Sequence, residues 1–377
     1  MSFAKPQVMP TIDQLTEQLD RVAAVEPGPF PVISLYLDLR ANERGRAQFE
    51  PFLKKELTER VNTYPSNGPE RDSLEADANR IREHVGTVDA SVNGLAVFAC
   101  HGADLFETVQ LAAPLDGHRL FVSDRAHLYP LAKLVDEYPR YLALVTDTHS
   151  ARIFVFAINE LEKTEQIEGE KPKHHKKGGW SQARYQRHTE NIHLQHAKEV
   201  VDAVARIVRE EGIDKIIVAA DEVVMPLLRE QFPKEVSDRI VDILKLDVHA
   251  DERAVLEATI EALRRKDAET DRERVEELIG AYRANGLACT GREATRRALE
   301  MGQVDELLIT ATPDALAPGK GAPTKGATEE SGLSAGENAA DDLVIQARNT
   351  SAKIRFIQDR SLLEPVGGVG AFLRFKL

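Results

Sequence analysis

The chain has 377 residues, which is two or three domains of ordinary size. Its hydrophobic content of 42% and charged content of 29% exclude wholesale disorder, collagen and coiled coil, and no run approaches the roughly 18 apolar residues of a spanning helix. A net charge of −13 should on average repel nucleic acid. Cys100 and Cys289 are too few for a disulfide framework and fit a reducing cytosol. The opening MSFAKPQVMPTIDQ has no apolar signal core, so a cytoplasmic location is expected.

Residues 11–25 carry Ile12, Leu15, Leu19 and Val22 at helical spacing, ended by Pro27, Gly28, Pro29 and Pro31. A strand is predicted over Val32–Leu39, then charged helices near Arg46–Asn62 and Arg71–Val85. Gly94–Cys100 and Leu105–Leu111 read as a hairpin, and Arg119–Ser123 as one more strand. A second unit should open near Tyr138-Pro139. It holds the strand pair Tyr141–Thr146 and Ala151–Ala157, a cationic loop, and a long helix from about Ala183 to Glu211 stopped by Gly212. The strand Asp214–Ala220, a helix around Val224, Leu227 and Leu228, a short strand within Ile240–Val248 and a charged helix over Glu252–Tyr282 follow. A third unit has a helix at Gly291–Gly302, a strand at Val304–Thr310, a helix at Leu343–Thr350, and strands at Lys353–Ile357 and Ala371–Phe375. Pro313–Asn338 has no periodic apolar pattern and is expected to be a mobile loop without a core. The fold class is thus α/β in three α/β domains, at 1–136, 137–275 and 276–377. The middle one would carry a mixed sheet and a long helix after a basic Gly-Gly loop, the last a small α/β sandwich. The first domain contains no chemical motif.

The informative segment is 171-KPKHHKKGGWSQARYQRH-188. It holds six cations, Lys171, Lys173, Lys176, Lys177, Arg184 and Arg187, with no acid between them. The cations can neutralise phosphates. Gly178 and Gly179 allow backbone conformations closed to other residues and a close approach to a ligand. Trp180 and Tyr185 can stack on bases, and Gln182 offers a neutral donor and acceptor. This composition suits insertion into an RNA cavity. The rival reading is a solvated linker between a strand and a helix, but the chain's single Trp then has no packing reason to stand at a polar tip.

The segment resembles the peptidyl-transferase-centre loop of the archaeal and eukaryotic class-1 peptide chain release factor superfamily, which carries Gly-Gly-Gln on a basic loop before a long helix. The resemblance extends from Tyr138 to Leu377, through DKIIVAA, ALEMGQVDELLIT, SAKIRFIQD and GGVGAFLRF in order. The chain is most similar to bacterial members of that superfamily, related to Vms-type, Pelota and Balon-type proteins. Here Trp180 directly follows the glycine pair and Gln182 comes two places later, a Gly-x-x-Gln spacing like that of the Vms-type loop.

The resemblance implies a ribosome-associated factor with Gly178, Gly179 and Gln182 as the catalytic set. Gln182 would help place water at the peptidyl-tRNA ester, and backbone N–H groups would stabilise developing charge. The cations and Trp180 and Tyr185 would face RNA. Implied partners are the large ribosomal subunit, tRNA or rRNA, and a translational GTPase, with no membrane, no cofactor and no metal. Stop-codon-reading motifs are absent from residues 1–135, so rescue or quality control is expected rather than ordinary termination. The alternatives are a hibernation factor that blocks the site without chemistry, and a general tRNA- or rRNA-binding protein.

Other signals weigh less. His188, His193 and His196 lack a completing ligand set and read as a polar helix face. Gly367–Gly370 lacks the context of a dinucleotide loop and should turn the chain into its last strand. The acidic run near Glu252–Glu277 reads as a solvated face. His101, Asp104 and His149 lack a Ser or Cys motif that would complete a nucleophilic triad.

Overall fold

The computed structural model describes residues 12–40, 49–89, 92–111, 113, 115, 117–169, 182–316 and 333–376, with the backbone alone at 182–185. The chain divides into two compact units. One combines 1–137 with 268–377, and the other is Tyr138–Asp267. Three sheets run through the described residues, and the fold is mixed α/β.

The N-terminal segment contains α1 (Ile12–Ala23), β1 (Val32–Asp38), α2 (Phe49–Asn62), α3 (Pro69–Val85), β2 (Gly94–Cys100), β3 (Leu105–Leu111), β4 (Arg119–Ser123) and α4 (Tyr129–Glu137). The strands form an antiparallel sheet in the order β3-β2-β1-β4. Side chains alternate across a strand, so Ile33, Leu35 and Leu37 of β1 meet Leu53 and Leu57 of α2 and Leu74, Ala78 and Ile81 of α3 on one face. Ser34 and Tyr36 point the other way. There the Ser34 hydroxyl accepts from His127 N (2.9 Å), and the Tyr36 hydroxyl donates to the His127 carbonyl. Helix α4 has no counterpart among the elements expected from sequence. Its nine residues hold Pro130 in the first turn, and Tyr129, Leu131, Ala132 and Leu134 gain their helical state by burial against neighbouring elements.

The middle unit holds β5 (Tyr141–Thr146), β6 (Ser150–Ala157), β7 (Glu160–Glu168), α5 (Gln182–Glu211), β8 (Ile216–Ala220), α6 (Val224–Gln231), α7 (Lys234–Ser237), β9 (Ile240–Leu244) and the first part of α8 (Glu252–Arg283). The mixed sheet has the order β7-β6-β5-β8-β9, with β5, β8 and β9 mutually parallel and β6 antiparallel to both β5 and β7. Its central strands are buried on both faces, which explains their unbroken apolar sequence. On one face Leu142, Leu144, Ile216 and Val218 pack under Ala197, Val200, Val204 and Ile207 of α5. On the other, Ala143, Val145, Phe154 and Ile217 meet Val255, Ala262 and Leu263 of α8. Helix α5 ends at Gly212, whose φ of +63° lets Ile213 N return to the Val208 carbonyl (3.2 Å).

Strand β7 is likewise additional to the expected elements. Its sequence ELEKTEQIE alternates exposed and half-buried positions, as an edge strand does, and its acids obscure the apolar signal. Ion pairs tie it to α5, Glu165 to Arg206 (2.7 Å) and Lys163 to Glu211 (3.0 Å).

The C-terminal segment contains β10 (Ala288–Thr290), α9 (Arg292–Glu300), β11 (Val304–Thr310), α10 (Ala335–Asn349), β12 (Lys353–Ile357), α11 (Arg360–Leu363) and β13 (Val369–Leu373). Its sheet order is β10-β13-β11-β12, with β11 and β12 parallel. Val275 and Leu278 from the later turns of α8 join Leu308, Ile357 and Leu363 in one cluster. Gly367 and Gly368, both at φ +79°, turn the chain into β13.

The expected loop Pro313–Asn338 requires correction at both ends. Pro313–Leu316 is a 3-10 turn, and α10 begins at Ala335 behind a capping box in which Glu337 N donates to Ser334 Oγ (3.2 Å) and Ser334 N to Glu337 Oε2 (2.8 Å). The two ends meet: a Cβ on Gly336 would fall 2.2 Å from the Pro313 carbonyl oxygen. The expected helix at Leu343–Thr350 thus starts earlier, and composition hid its first turns because they bury small residues, Gly336, Ala339 and Ala340. Residues 317–332 lie outside the described residues.

Within the first unit, α10 also receives the N-terminal segment. The Tyr129 backbone N–H donates to Asp341 (2.8 Å), the ring of buried His127 bonds the other oxygen of Asp341, and the Tyr129 hydroxyl donates to the Thr310 carbonyl (2.7 Å). Phe356 N donates to Asp136 (2.9 Å), and Arg125 pairs with Asp342 (2.8 Å).

Candidate functional site: the carboxyl edge of the middle sheet

Strands β5 and β8 run in parallel register from Leu142↔Ile216 to Thr146↔Ala220, so their carboxyl ends stand side by side. Strand β7 runs the same way, because both β5 and β7 are antiparallel to β6, and Glu168 pairs with Ser150 at this edge. The edge therefore gathers the turn between β5 and β6, the end of β7, the residues after β8 and the beginning of α5. In open α/β sheets this is where ligands are met, because loops converge beyond the carboxyl ends of parallel strands. In the sequence the Gly-Gly segment falls between β7 and α5, within residues 170–181, which lie outside the described residues.

Lys171, Lys173, Lys176, Lys177, Gly178, Gly179 and Trp180 lie outside the described residues. The backbone of Gln182 is the first residue of α5, one position before the expected start at Ala183. The side chains of Gln182, Arg184 and Tyr185 are not among those described, and Arg187 is exposed on the helix surface. None of the proposed site residues is thus brought into a described contact with another.

The described residues at this edge are tied together by hydrogen bonds. Asp147 organises the β5–β6 turn, accepting from His149 N (2.7 Å), Ser150 N (2.8 Å) and Ser150 Oγ (3.2 Å). Burial opposes its charge, but these donors prevail and hold its carboxyl below the usual range. Gly169 N donates to the His149 carbonyl (2.7 Å), fastening the exit of β7 to the turn. The ring of His149 lies 5.4 Å from that of His193, and His196, one turn further along α5, is only 2% exposed.

Burial lowers the His193 pKa, His149 lowers it further, and Asp221 opposes them. Burial also lowers that of His196. On the next connection Asp221 accepts from Val223 N (2.9 Å) and Val224 N (2.7 Å), capping the first turn of α6. In the sequence His149 stands apart from the His193/His196 pair. The i, i+3 spacing of the pair is visible there, but not the strand turn that brings His149 to it.

Among the described residues no group of three or more His, Cys, Asp or Glu is placed to hold a metal ion. No described helix is long and apolar enough to cross a membrane.

Comparison with known proteins adds the family. Residues 127–264 match the model of bacterial archaeo-eukaryotic release factor family 10, and residues 268–377 match eRF1 domain 3. The peptide chain release factor subunit 1 of Archaeoglobus fulgidus is 22% identical over 310 residues, spanning 72% of this chain and 74% of the relative. A model of ribosome-bound archaeal Pelota and ABCE1 contains a chain that is 15% identical, with 99% of this chain and 98% of that one covered at a TM-score of 0.43. Dom34 of S. cerevisiae, described as a translation termination-like factor, is 13% identical, with 75% and 79% covered at a TM-score of 0.42. From the two adjoining family matches, the chain is a bacterial archaeo-eukaryotic release factor-like protein.

Proposed function

We propose that this translation factor binds the ribosome and carries the Gly178–Gln182 segment to the peptidyl-transferase centre, where it promotes hydrolysis of the peptidyl-tRNA ester in rescue or quality control. The observation that supports this most is the position of the GGWSQ motif. It lies inside the family-10 match, between β7 and α5 in the sequence, with the eRF1 domain 3 match following. Gln182 opens α5, so its position along the chain is tied to a 30-residue helix whose later turns are anchored in the core. A glutamine amide does not titrate near neutral pH, so its role is to orient water, while Gly178 and Gly179 admit the backbone close to the reacting carbonyl. Lys171, Lys173, Lys176, Lys177, Arg184 and Arg187 neutralise phosphates, and Trp180 and Tyr185 stack on bases.

The proposed partners are the large subunit, tRNA or rRNA and a translational GTPase, in the cytoplasm. The proposed division of labour follows 1–136, 137–275 and 276–377. Trp180 in the place directly after the glycine pair favours a second reading, a hibernation factor that fills the site without chemistry.

The test is release of labelled peptide from loaded ribosomes or large subunits. Under the first reading Gln182→Ala keeps ribosome binding and loses about 10²–10³ in release rate, the scale of one oriented transition-state donor. Binding by the wild type without release selects the second reading. Release indifferent to Gln182 moves the chemistry to another residue.

A further inference from the structure

The histidines at the carboxyl edge of the middle sheet have no part in the proposed hydrolysis. Among the described residues neither ring nitrogen of His196 has a partner at hydrogen-bond geometry, nor does Nδ1 of His149, and all three atoms are buried. Buried polar groups are ordinarily paired, so an orphaned imidazole at 2% exposure marks a place where packing was kept ahead of satisfaction. The packing is close. A Cβ on residue 169 would fall 2.8 Å from His196 Nδ1 and 3.3 Å from the His149 carbonyl oxygen, so only glycine lets β7 leave the sheet against this ring.

We infer that His149, His193 and His196 form an acid-sensitive latch, which fastens the end of β7 and the early turns of α5 to the β5–β6 turn and loosens when His193 and His196 take up protons. The inference rests on geometry within the middle unit and is independent of what the Gly-Gly segment does.

With neutral rings the latch closes by contact. His196 fills the space beside Gly169, His193 meets His149 edge to face, and the Gly169 N–H reaches the His149 carbonyl. Protonation places a cation where water is excluded and sets it against neighbouring imidazoles. The acids that face the cluster are already engaged. Asp147 accepts three bonds from its own turn, Asp221 caps α6, and Glu199 accepts from Gln195 (3.0 Å) on the exposed side of α5. The Ser150 backbone also faces His196 and favours its charged form, but burial outweighs it. The folded pKa of His193 and of His196 lies below the ordinary value of 6.5, so the folded unit binds fewer protons than the unfolded chain below that pH. The stabilisation is therefore complete above about 6.5 and is lost as pH falls through the folded values.

The experiment is amide exchange at Gly169 in the full chain, expressed relative to the unstructured rate at each pH, with imidazole titration by NMR alongside. From pH 7.5 to 5.5 protection at Gly169 should fall by about tenfold or more, with a midpoint below 6.5. His196→Leu should retain protection at pH 7.5 and flatten the profile. If that variant does not fold, His149→Gln combined with His193→Gln serves instead, leaving His196 the sole imidazole of the cluster. Its midpoint should rise as neighbouring charge is removed. Protection independent of pH in the wild type overturns the latch, as does an unaltered profile in His196→Leu or an unshifted midpoint in the double variant.

Discussion

Asp77 lies on α3 at 1% exposure and accepts from the backbone N–H of His101 (2.8 Å), while Ser73 beside it accepts from Gly102 N (3.1 Å). The pair holds the turn between β2 and β3 against the helix. A Cβ on Gly102 would fall 2.2 Å from the Phe30 ring, so the turn is packed from its other side as well. Burial pushes the Asp77 carboxyl up to about 6. A carboxyl raised on folding stabilises the protein when protonated, and that contribution is lost as pH rises from about 4 through about 6. At neutral pH its ionisation is a standing cost of up to about 3 kcal/mol. Asp77→Asn retains an acceptor for His101 N and removes the charge. Urea unfolding should show the variant more stable than the wild type at pH 7 by about 1–3 kcal/mol, with the difference shrinking towards pH 4. Equal stability at both pH values would show that the carboxylate is better solvated than its burial implies.

At the scale of elements, α10 carries the first unit. Its amino end is fixed by the Ser334–Glu337 capping box and by the fit of Gly336 under Pro313, and its next turns offer Asp341 to His127 and Tyr129. Ser334→Ala should cost about 1 kcal/mol, the usual worth of an N-cap. Gly336→Val drives carbon into backbone that has no room to yield, and should cost about 1–3 kcal/mol. Asp341→Ala leaves buried His127 and the Tyr129 N–H without their acceptor, and should cost about 3 kcal/mol, more than either. Denaturant unfolding of the three variants should give that order. A neutral Asp341→Ala would mean that water takes over the acceptor's role. Excision of all of 313–338 should be costly, since its two ends pack together.

At the scale of the whole molecule, charge is unevenly distributed: the net −13 is the sum of one basic segment of +6 with no acid in it and a remainder of −19. Any attraction to phosphate is then confined to that segment, while the remainder repels it. Changing Lys173, Lys176, Lys177, Arg184 and Arg187 to Gln should weaken ribosome binding and flatten its dependence on salt, by about 0.7–0.9 in logarithmic slope for each phosphate that is no longer neutralised. The fold should survive, as exposed Arg187 illustrates. Co-sedimentation that is indifferent to salt and to these changes would remove the RNA-facing role.

What the sequence determined by itself follows from local rules. The central strands Gly94–Cys100, Tyr141–Thr146 and Val304–Thr310 were legible because burial on both faces demands apolar runs, and α5 because its apolar face repeats from Ile192 to Val208 before a glycine stop. The basic Gly-Gly motif and its family resemblance were legible because residue identity carries them. Only the tertiary structure decided α4, β7 and the start of α10. A nine-residue helix, a charged edge strand and a helix packed through Gly and Ala derive their stability from neighbours distant in sequence. The same holds for the cluster of His149, His193 and His196. A strand turn and a helix more than forty residues away are brought together there by the pairing of β5 to β7 and the packing of α5 across the sheet.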